Sequence, residues 1–263
     1  MYQENNIKAK KRFGQNFLVS KEVVDKIIEL VKYENKNILE IGPGTGALTK
    51  YLSKWADNFF AFEIDKDMQK YLLDNNILDE EQLIKTDFLD VNLDEYKNYV
   101  IVGNIPYNIT SNILFKLFDN RMNFKTAILM VQEEVANRLV AKVNTNEYSK
   151  LTLTANYIAT ITKEFKVDKK LFSPIPKVNS AVIKIVFKQE KNDNYEKMKD
   201  FFKLCFLARR KKLSFSLKQK YSIINIENAY KKNNFVESIR IQQLSLEQII
   251  NLFNDLEKGK QCI

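Results

Sequence analysis

The chain contains no histidine, and that absence removes much chemistry. Ser-His-Asp hydrolysis, Cys-His proteolysis, imidazole general-base catalysis and His-ligated zinc all need the ring. Cysteine is nearly missing too. Cys205 and Cys262 stand far apart, with neither a CxxC pair nor a disulfide framework. They fit a reduced, cytoplasmic protein without a metal. No apolar run approaches the ~18 residues of a membrane span. The polar, basic start MYQENNIKAKKRF lacks the apolar core of a secretory signal. What remains is the chemistry of carboxylates, amides, aromatic rings and backbone.

Glycine and proline are scarce as well. There are six glycines and four prolines in 263 residues, where average usage of about 7% and 5% gives roughly three times as many. Their positions are therefore informative. Gly14 lies in KRFGQNFL, Gly42, Gly44 and Gly46 in EIGPGTG, and Gly103 in GNIPY. Pro43 and Pro106 share the last two segments, and Pro174 and Pro176 sit in FSPIPK. A chain that uses these residues so rarely places them where backbone geometry leaves no substitute.

A content of 45% hydrophobic and 29% charged residues is that of a folded globular chain, long enough for one or two domains. Lys and Arg number 42 against 33 Asp and Glu, a net charge of +9, which favours a polyanionic partner. The excess belongs to the ends. Residues 190–263 hold 15 basic and 9 acidic residues, and residues 1–12 hold four and one.

Through the first two thirds, short apolar runs alternate with helical spacing. NILEI (37–41), FFAFEI (59–64), QLIKTD (82–87), YVIVGN (99–104) and AILMVQ (127–132) read as buried strands. Between them ALTKYLSKWA, KDMQKYLLDNN and SNILFKLFDN read as helices. This alternation predicts an α/β fold with a mostly parallel sheet covered by helices. ITKEFKV and SAVIKIVFK, flanking FSPIPK, predict further strands at an antiparallel edge. Beyond the polar QEKNDN the pattern is helical throughout. The expected domains are 1–190 and an all-α 191–263.

EIGPGTG closes a predicted strand and opens a helix, as does a dinucleotide-binding turn; Gly42 and Gly44 let the backbone approach a ligand closely. Glu63 ends the second strand, where a carboxylate can accept from both hydroxyls of a ribose. Asp87 ends the third, where it can accept from an adenine amine. These features predict an adenosine cofactor without choosing which one. Asp65 reads as a helix cap.

Asn104-Ile105-Pro106-Tyr107 follows the fourth strand, at the carboxyl edge where open α/β sheets bind ligands. Hydride transfer has no use for it; methyl transfer to an aromatic amine does. The amine lone pair is delocalised into the ring. The Asn104 side-chain oxygen and the Ile105 carbonyl can hold its two N–H groups in a pyramidal geometry. Pro106 fixes the backbone and Tyr107 offers a ring for a flipped base. The proton leaves after the methyl arrives, so no strong base is needed.

On these motifs, with RFGQNFL, TDFLD, NIPYNI, MVQEEVANRLVA, YSKLTL, FSPIPKVNSAV and ARRKKL, nearly the whole chain resembles the ribosomal RNA adenine N6-dimethyltransferase family. GPGTGALT, MVQEEVANRLVA and the helical C-terminal part are similar to its KsgA-type branch. The resemblance implies a Rossmann-like class I fold that uses S-adenosylmethionine without a metal. It implies dimethylation of two adjacent adenosines in the 3′-terminal hairpin of 16S rRNA, within the small ribosomal subunit. It implies that Asn16, Leu18, Gly42, Gly44, Glu63, Asp87 and Asn104 hold the cofactor, and that Tyr107 and Phe172 sandwich the target adenine. The family usually has Leu where this chain has Ile105, a position that works through its backbone.

Beside such a core the basic runs Lys8, Lys10, Lys11, Arg12 and Arg209, Arg210, Lys211, Lys212 are expected on RNA phosphates. Two alternatives stay open: an Erm-like enzyme acting on 23S rRNA, and a relative that binds RNA without turnover. Nothing in the sequence demands an oligomer or a membrane.

Overall fold

The computed structural model describes residues 9–190 and 194–260. The main elements in chain order are β1 (Phe17–Leu18), α1 (Lys21–Lys32), β2 (Asn37–Ile41), α2 (Thr49–Trp55), β3 (Asn58–Phe62), α3 (Lys66–Asp74), β4 (Leu83–Ile84), β5 (Tyr99–Asn104), α4 (Thr110–Asp119), β6 (Phe124–Gln132), α5 (Glu133–Leu139), α6 (Lys150–Ile158), β7 (Ala159–Val167), β8 (Phe172–Ser173), β9 (Ser180–Phe187), α7 (Tyr195–Cys205), α8 (Leu213–Leu217), α9 (Ile223–Lys232) and α10 (Leu246–Lys260).

Seven strands form one sheet in the order β4-β3-β2-β5-β6-β9-β7. The five from β4 to β6 run parallel, and β9 lies antiparallel on β6. Strands β2 and β5 are almost continuously apolar because both faces are covered. Edge strand β7, ATITKEFKV, instead alternates between covered and exposed positions. A second, two-stranded sheet pairs β1 with β8, Leu18 opposite Phe172.

Helix α1 shows how the first core is built. Ser20 caps its start by accepting from the Val23 N–H, and Val23, Val24, Ile27, Ile28 and Val31 recur at helical spacing. That stripe packs in one cluster with Ile38, Val100, Val102, Ile128, Met130 and Val182 of the sheet. Burying a side chain of this kind contributes roughly 1.5–3 kcal/mol before entropy is subtracted.

The chain divides into two compact units, residues 1–136 with 160–189, and residues 137–159 with 190–263. The sequence predicts one boundary near 190; the stretch 137–159, containing α6, instead belongs to the second unit. The reason is apolar: Tyr148 and Leu153 join the cluster of Phe201, Phe202, Leu217, Ile249, Leu252 and Leu256. No helix among the described residues is long and apolar enough to cross a membrane.

Candidate active site

The register of the parallel strands places the site. Ile41 lies beside Phe62 on one side and Gly103 on the other, and Asn104 beside Met130. Gly103 allows the close approach, since a Cβ there would stand 2.7 Å from the Ile41 carbonyl. The carboxyl ends of β2, β3 and β5 thus open together. They border a cavity of about 280 Å³ that is also lined by residues 12–18 and by Thr86 to Phe88.

Gly42 and Gly44 adopt φ of +65° and +55°, the left-handed region that other residues rarely enter. A Cβ on Gly42 would meet nothing within 4 Å, so the backbone there faces open space. The Gly44 N–H donates to Glu63 Oε2 at 3.3 Å, and the Asp65 N–H to Oε1 at 2.8 Å. Glu63 is thereby aimed by backbone donors while keeping unused acceptor capacity. Burial pushes its carboxyl up, the donors from Asp65 and Gly44 work against that, and the Asp65 charge adds to it.

Asp87 also lines the cavity. Its Oδ1 accepts from the Leu89 N–H at 2.9 Å, capping the turn Phe88–Asp90. Its other oxygen has no hydrogen-bond partner among the described residues.

Asn104 ends β5, and its Nδ2 donates to the Asn16 backbone carbonyl at 2.8 Å. Only the amide nitrogen can donate to a carbonyl, so the orientation is fixed and Oδ1 remains as an acceptor. Next to it, the Ile105 N–H donates to Met130 O at 2.9 Å, while no described residue donates to the Ile105 carbonyl. Pro106 O accepts from Thr110 Oγ1 at 3.0 Å, tying the turn to the start of α4. Tyr107 lines the same cavity, and its hydroxyl bonds Ser180 Oγ at 2.5 Å. Burial pushes this phenol up, with the Ser180 bond opposing. The fully buried Ser180 is a residue that motif reading misses, since it shows only through this contact. Replacing it (Ser180→Ala) frees the ring; we expect turnover to fall by up to about tenfold with cofactor affinity unchanged, checked by kinetics beside calorimetric titration.

Asn16 and Leu18 are among the cavity-lining residues, and Phe172 is not. Its backbone pairs with Leu18, and its ring, 2% exposed, is packed in the first core. Two of the basic residues meet partners inside the protein. The Lys10 ammonium pairs with Asp65 at 2.5 Å and Asp67 at 2.6 Å, and Arg209 donates to the Thr145 carbonyl at 2.9 Å. The Lys10 charge is paired within the protein, while Arg209 meets a neutral carbonyl. Lys212 pairs with Glu237 at 2.9 Å. Arg12 and Arg210 are exposed, and the Lys211 ammonium lies 3.8 Å over the Phe215 ring. Lys8, the Lys11 side chain and Cys262 lie outside the described residues.

Glu40 is the other residue that motif reading passes over. It stands in β2 directly before Ile41, is 2% exposed and lines the cavity. Its Oε2 has no hydrogen-bond partner among the described residues. Burial pushes its carboxyl up to about 8, the Thr49 hydroxyl opposing and the Glu63 charge adding. A buried carboxyl with one unpartnered oxygen beside a cavity is a place for a cationic group. The only sequence signal is an acid inside an otherwise apolar strand.

A parallel sheet with a glycine turn after its first strand, acids at the ends of the next two and an antiparallel closing strand defines a class I methyltransferase. Residues 6–258 match the ribosomal RNA adenine dimethylase family, and the chain belongs to that family. It is 48% identical over 252 residues to ribosomal RNA small subunit methyltransferase A of Mycoplasmopsis synoviae, covering 94% of this chain and 97% of that one. It is 40% identical to the protein of that name from Mycoplasma genitalium, covering 97% and 99%. Among solved structures, a dimethyladenosine transferase from Plasmodium falciparum aligns with a TM-score of 0.75 at 27% identity, covering 93% of this chain and 98% of that one. The 23S rRNA methyltransferase ErmE aligns with a TM-score of 0.69 at 27% identity, covering 92% and 100%.

Proposed function

We propose that the protein transfers methyl groups from S-adenosylmethionine to N6 of two adjacent adenosines in the 3′-terminal hairpin of 16S rRNA, acting on the small ribosomal subunit or its precursor. The observation that carries this reading is the pair of acceptors among the cavity-lining residues. Asn104 is held by its Nδ2 so that Oδ1 stays available, beside an Ile105 carbonyl to which no described residue donates.

The cavity fits the cofactor. The open backbone at Gly42 admits close approach. Glu63 has capacity for the ribose hydroxyls and the second Asp87 oxygen for the adenine amine. The orphaned Glu40 oxygen suits the α-ammonium. Asn16 and Leu18 complete the lining from the N-terminal segment. When bound, S-adenosylmethionine supplies a methyl group already activated on a sulfonium sulfur.

The protein's part is positioning. The Tyr107 ring, steadied by Ser180, supports one face of the extruded base. Asn104 Oδ1 and the Ile105 carbonyl accept from the two amine N–H groups, turning the lone pair out of conjugation with the ring. The apolar lining, Leu18, Phe62, Phe88 and Ile113 among it, excludes water. The proton departs once the nitrogen carries the extra bond, so the absence of histidine costs nothing.

RNA recognition falls to the exposed cations. Substituting Arg210 and Lys211 together by Ala is expected to raise the KM for RNA. The salt slope of binding is expected to become shallower by about one for each phosphate that is no longer neutralised. Cofactor affinity is expected to stay constant. A matching loss of cofactor binding would assign these residues a structural role. The function itself is tested by transfer of labelled methyl to unmethylated small subunits and, separately, to 23S rRNA. Label on the small subunit supports the reading; label on 23S rRNA alone refutes it.

A further inference from the structure

Asp65 holds more than the helix it caps. Its side chain is 1% exposed, yet it collects three donors. Lys10 Nζ lies 2.5 Å from Oδ1, the Asp67 N–H 3.1 Å from the same oxygen, and Gln15 Nε2 2.8 Å from Oδ2. Burial pushes the carboxyl up, but Lys10, Gln15 and the Asp67 N–H outweigh it and hold it below the usual carboxylate range. Gln15 closes the loop by accepting the Lys10 backbone N–H at 2.8 Å.

Residues 10–15 are thereby folded on themselves and fastened to the end of β3. The stretch that follows meets the reaction centre. Gly14 lies against the 107–108 turn, where a Cβ would stand 2.6 Å from Asn108 Oδ1. The Asn16 amide reaches back to the Gly14 carbonyl at 3.1 Å. The Asn16 carbonyl, in turn, takes the Asn104 amide at 2.8 Å. A covered carboxylate, two side chains 50 and 55 residues away in sequence and one backbone carbonyl thus form a continuous support behind Asn104.

We propose that Asp65 is a positioning residue for the reaction. By fastening residues 10–15 it fixes the Asn16 carbonyl, which holds the Asn104 amide so that Oδ1 faces the target amine. This rests on the proposed function, which gives Asn104 Oδ1 its task. Without the fastening the 14–16 backbone is released, the Asn104 amide loses its fixed acceptor, and its two ends interchange. Half of the resulting orientations present a donor to an amine that needs an acceptor.

The test is Asp65→Ala in the full-length enzyme. A second variant, Lys10→Met, removes the same fastening from its partly exposed end, where folding is less at stake. Turnover is measured at saturating cofactor and RNA, beside the side-chain amide signals of protein labelled with 15N-asparagine, the Asn104 pair being the one absent from Asn104→Ser. We expect turnover to fall about tenfold or more in both variants, with the Asn104 amide protons moving to solvent-like positions and exchanging faster. Turnover within about twofold of the parent, or a fall with the Asn104 signals unmoved, overturns the proposal; the second result would assign Asp65 a purely structural role. If the parent enzyme methylates no RNA, the functional reading fails, and the amide signals alone still decide whether Asp65 fixes Asn104.

Discussion

Asn104→Ala is expected to abolish most methyl transfer, by about a hundredfold to a thousandfold in kcat, while S-adenosylhomocysteine still binds. The substitution removes the acceptor Oδ1 and the donor Nδ2 together. Asn104→Asp separates them. It keeps an oxygen at the amine but sets a carboxylate against the Asn16 carbonyl, 2.8 Å from the present nitrogen. Two acceptors repel there, the side chain turns away, and kcat is expected to fall at least about tenfold. Rapid-quench single-turnover measurement isolates the chemical step from RNA release. An Asp variant with full turnover would show that the donor is dispensable.

Cofactor binding is expected to expel a proton from Glu40. Its carboxyl ionises near 8 in the folded protein against an ordinary 4.5, so at pH 7 it is largely protonated in the free enzyme. Pairing with an ammonium favours the ionised form. Affinity therefore rises with pH between 6 and 7, by up to about tenfold. Calorimetric titration of S-adenosylhomocysteine at pH 7, in buffers of different ionisation enthalpy, is expected to show about one proton released. Glu40→Gln should release none and bind more weakly.

The same group sets a stability trend of opposite sign. Its folded pKa is raised, so its contribution to stability is fully present below pH 4.5 and is lost as the pH rises through about 8. The loss is of order 5 kcal/mol. Glu40→Gln is expected to melt several degrees higher than the parent at pH 9 and close to it at pH 5. The buried acid is thus a stability cost carried at the ligand site.

The fold was legible where burial writes a pattern. NILEI and YVIVGN coincide with β2 and β5 because strands covered on both faces must be apolar throughout. QLIKTD shortens to two residues in β4, at the sheet edge, where Thr86 already turns back on Ile84. The 137–159 segment was not legible as part of the second unit. Its apolar residues fit either core, and only tertiary packing assigns Tyr148 and Leu153.

The site divides in the same way. Gly42, Glu63, Asp87 and the 104–107 segment were readable because unusual backbone and strand-end acids leave local signatures. Glu40 and Ser180 were not, since a buried acid and a serine inside strands look like noise until their surroundings are seen. Phe172 and Lys10 make contacts that their segments do not announce: the Phe172 ring packs in the first core. Lys10 finds Asp65 across 55 residues of sequence, a pairing that no local pattern announces.

The most direct measurement is nucleotide-level mapping of the product. Unmethylated small subunits are incubated with the protein and S-adenosylmethionine, and the 3′-terminal fragment of their 16S rRNA is analysed by nuclease digestion and mass spectrometry. The account predicts N6,N6-dimethyladenosine at two adjacent positions in the terminal hairpin, absent when Asn104→Ala replaces the parent enzyme. An unmodified hairpin beside a modified adenine in 23S rRNA, or modification that survives in Asn104→Ala, would contradict it.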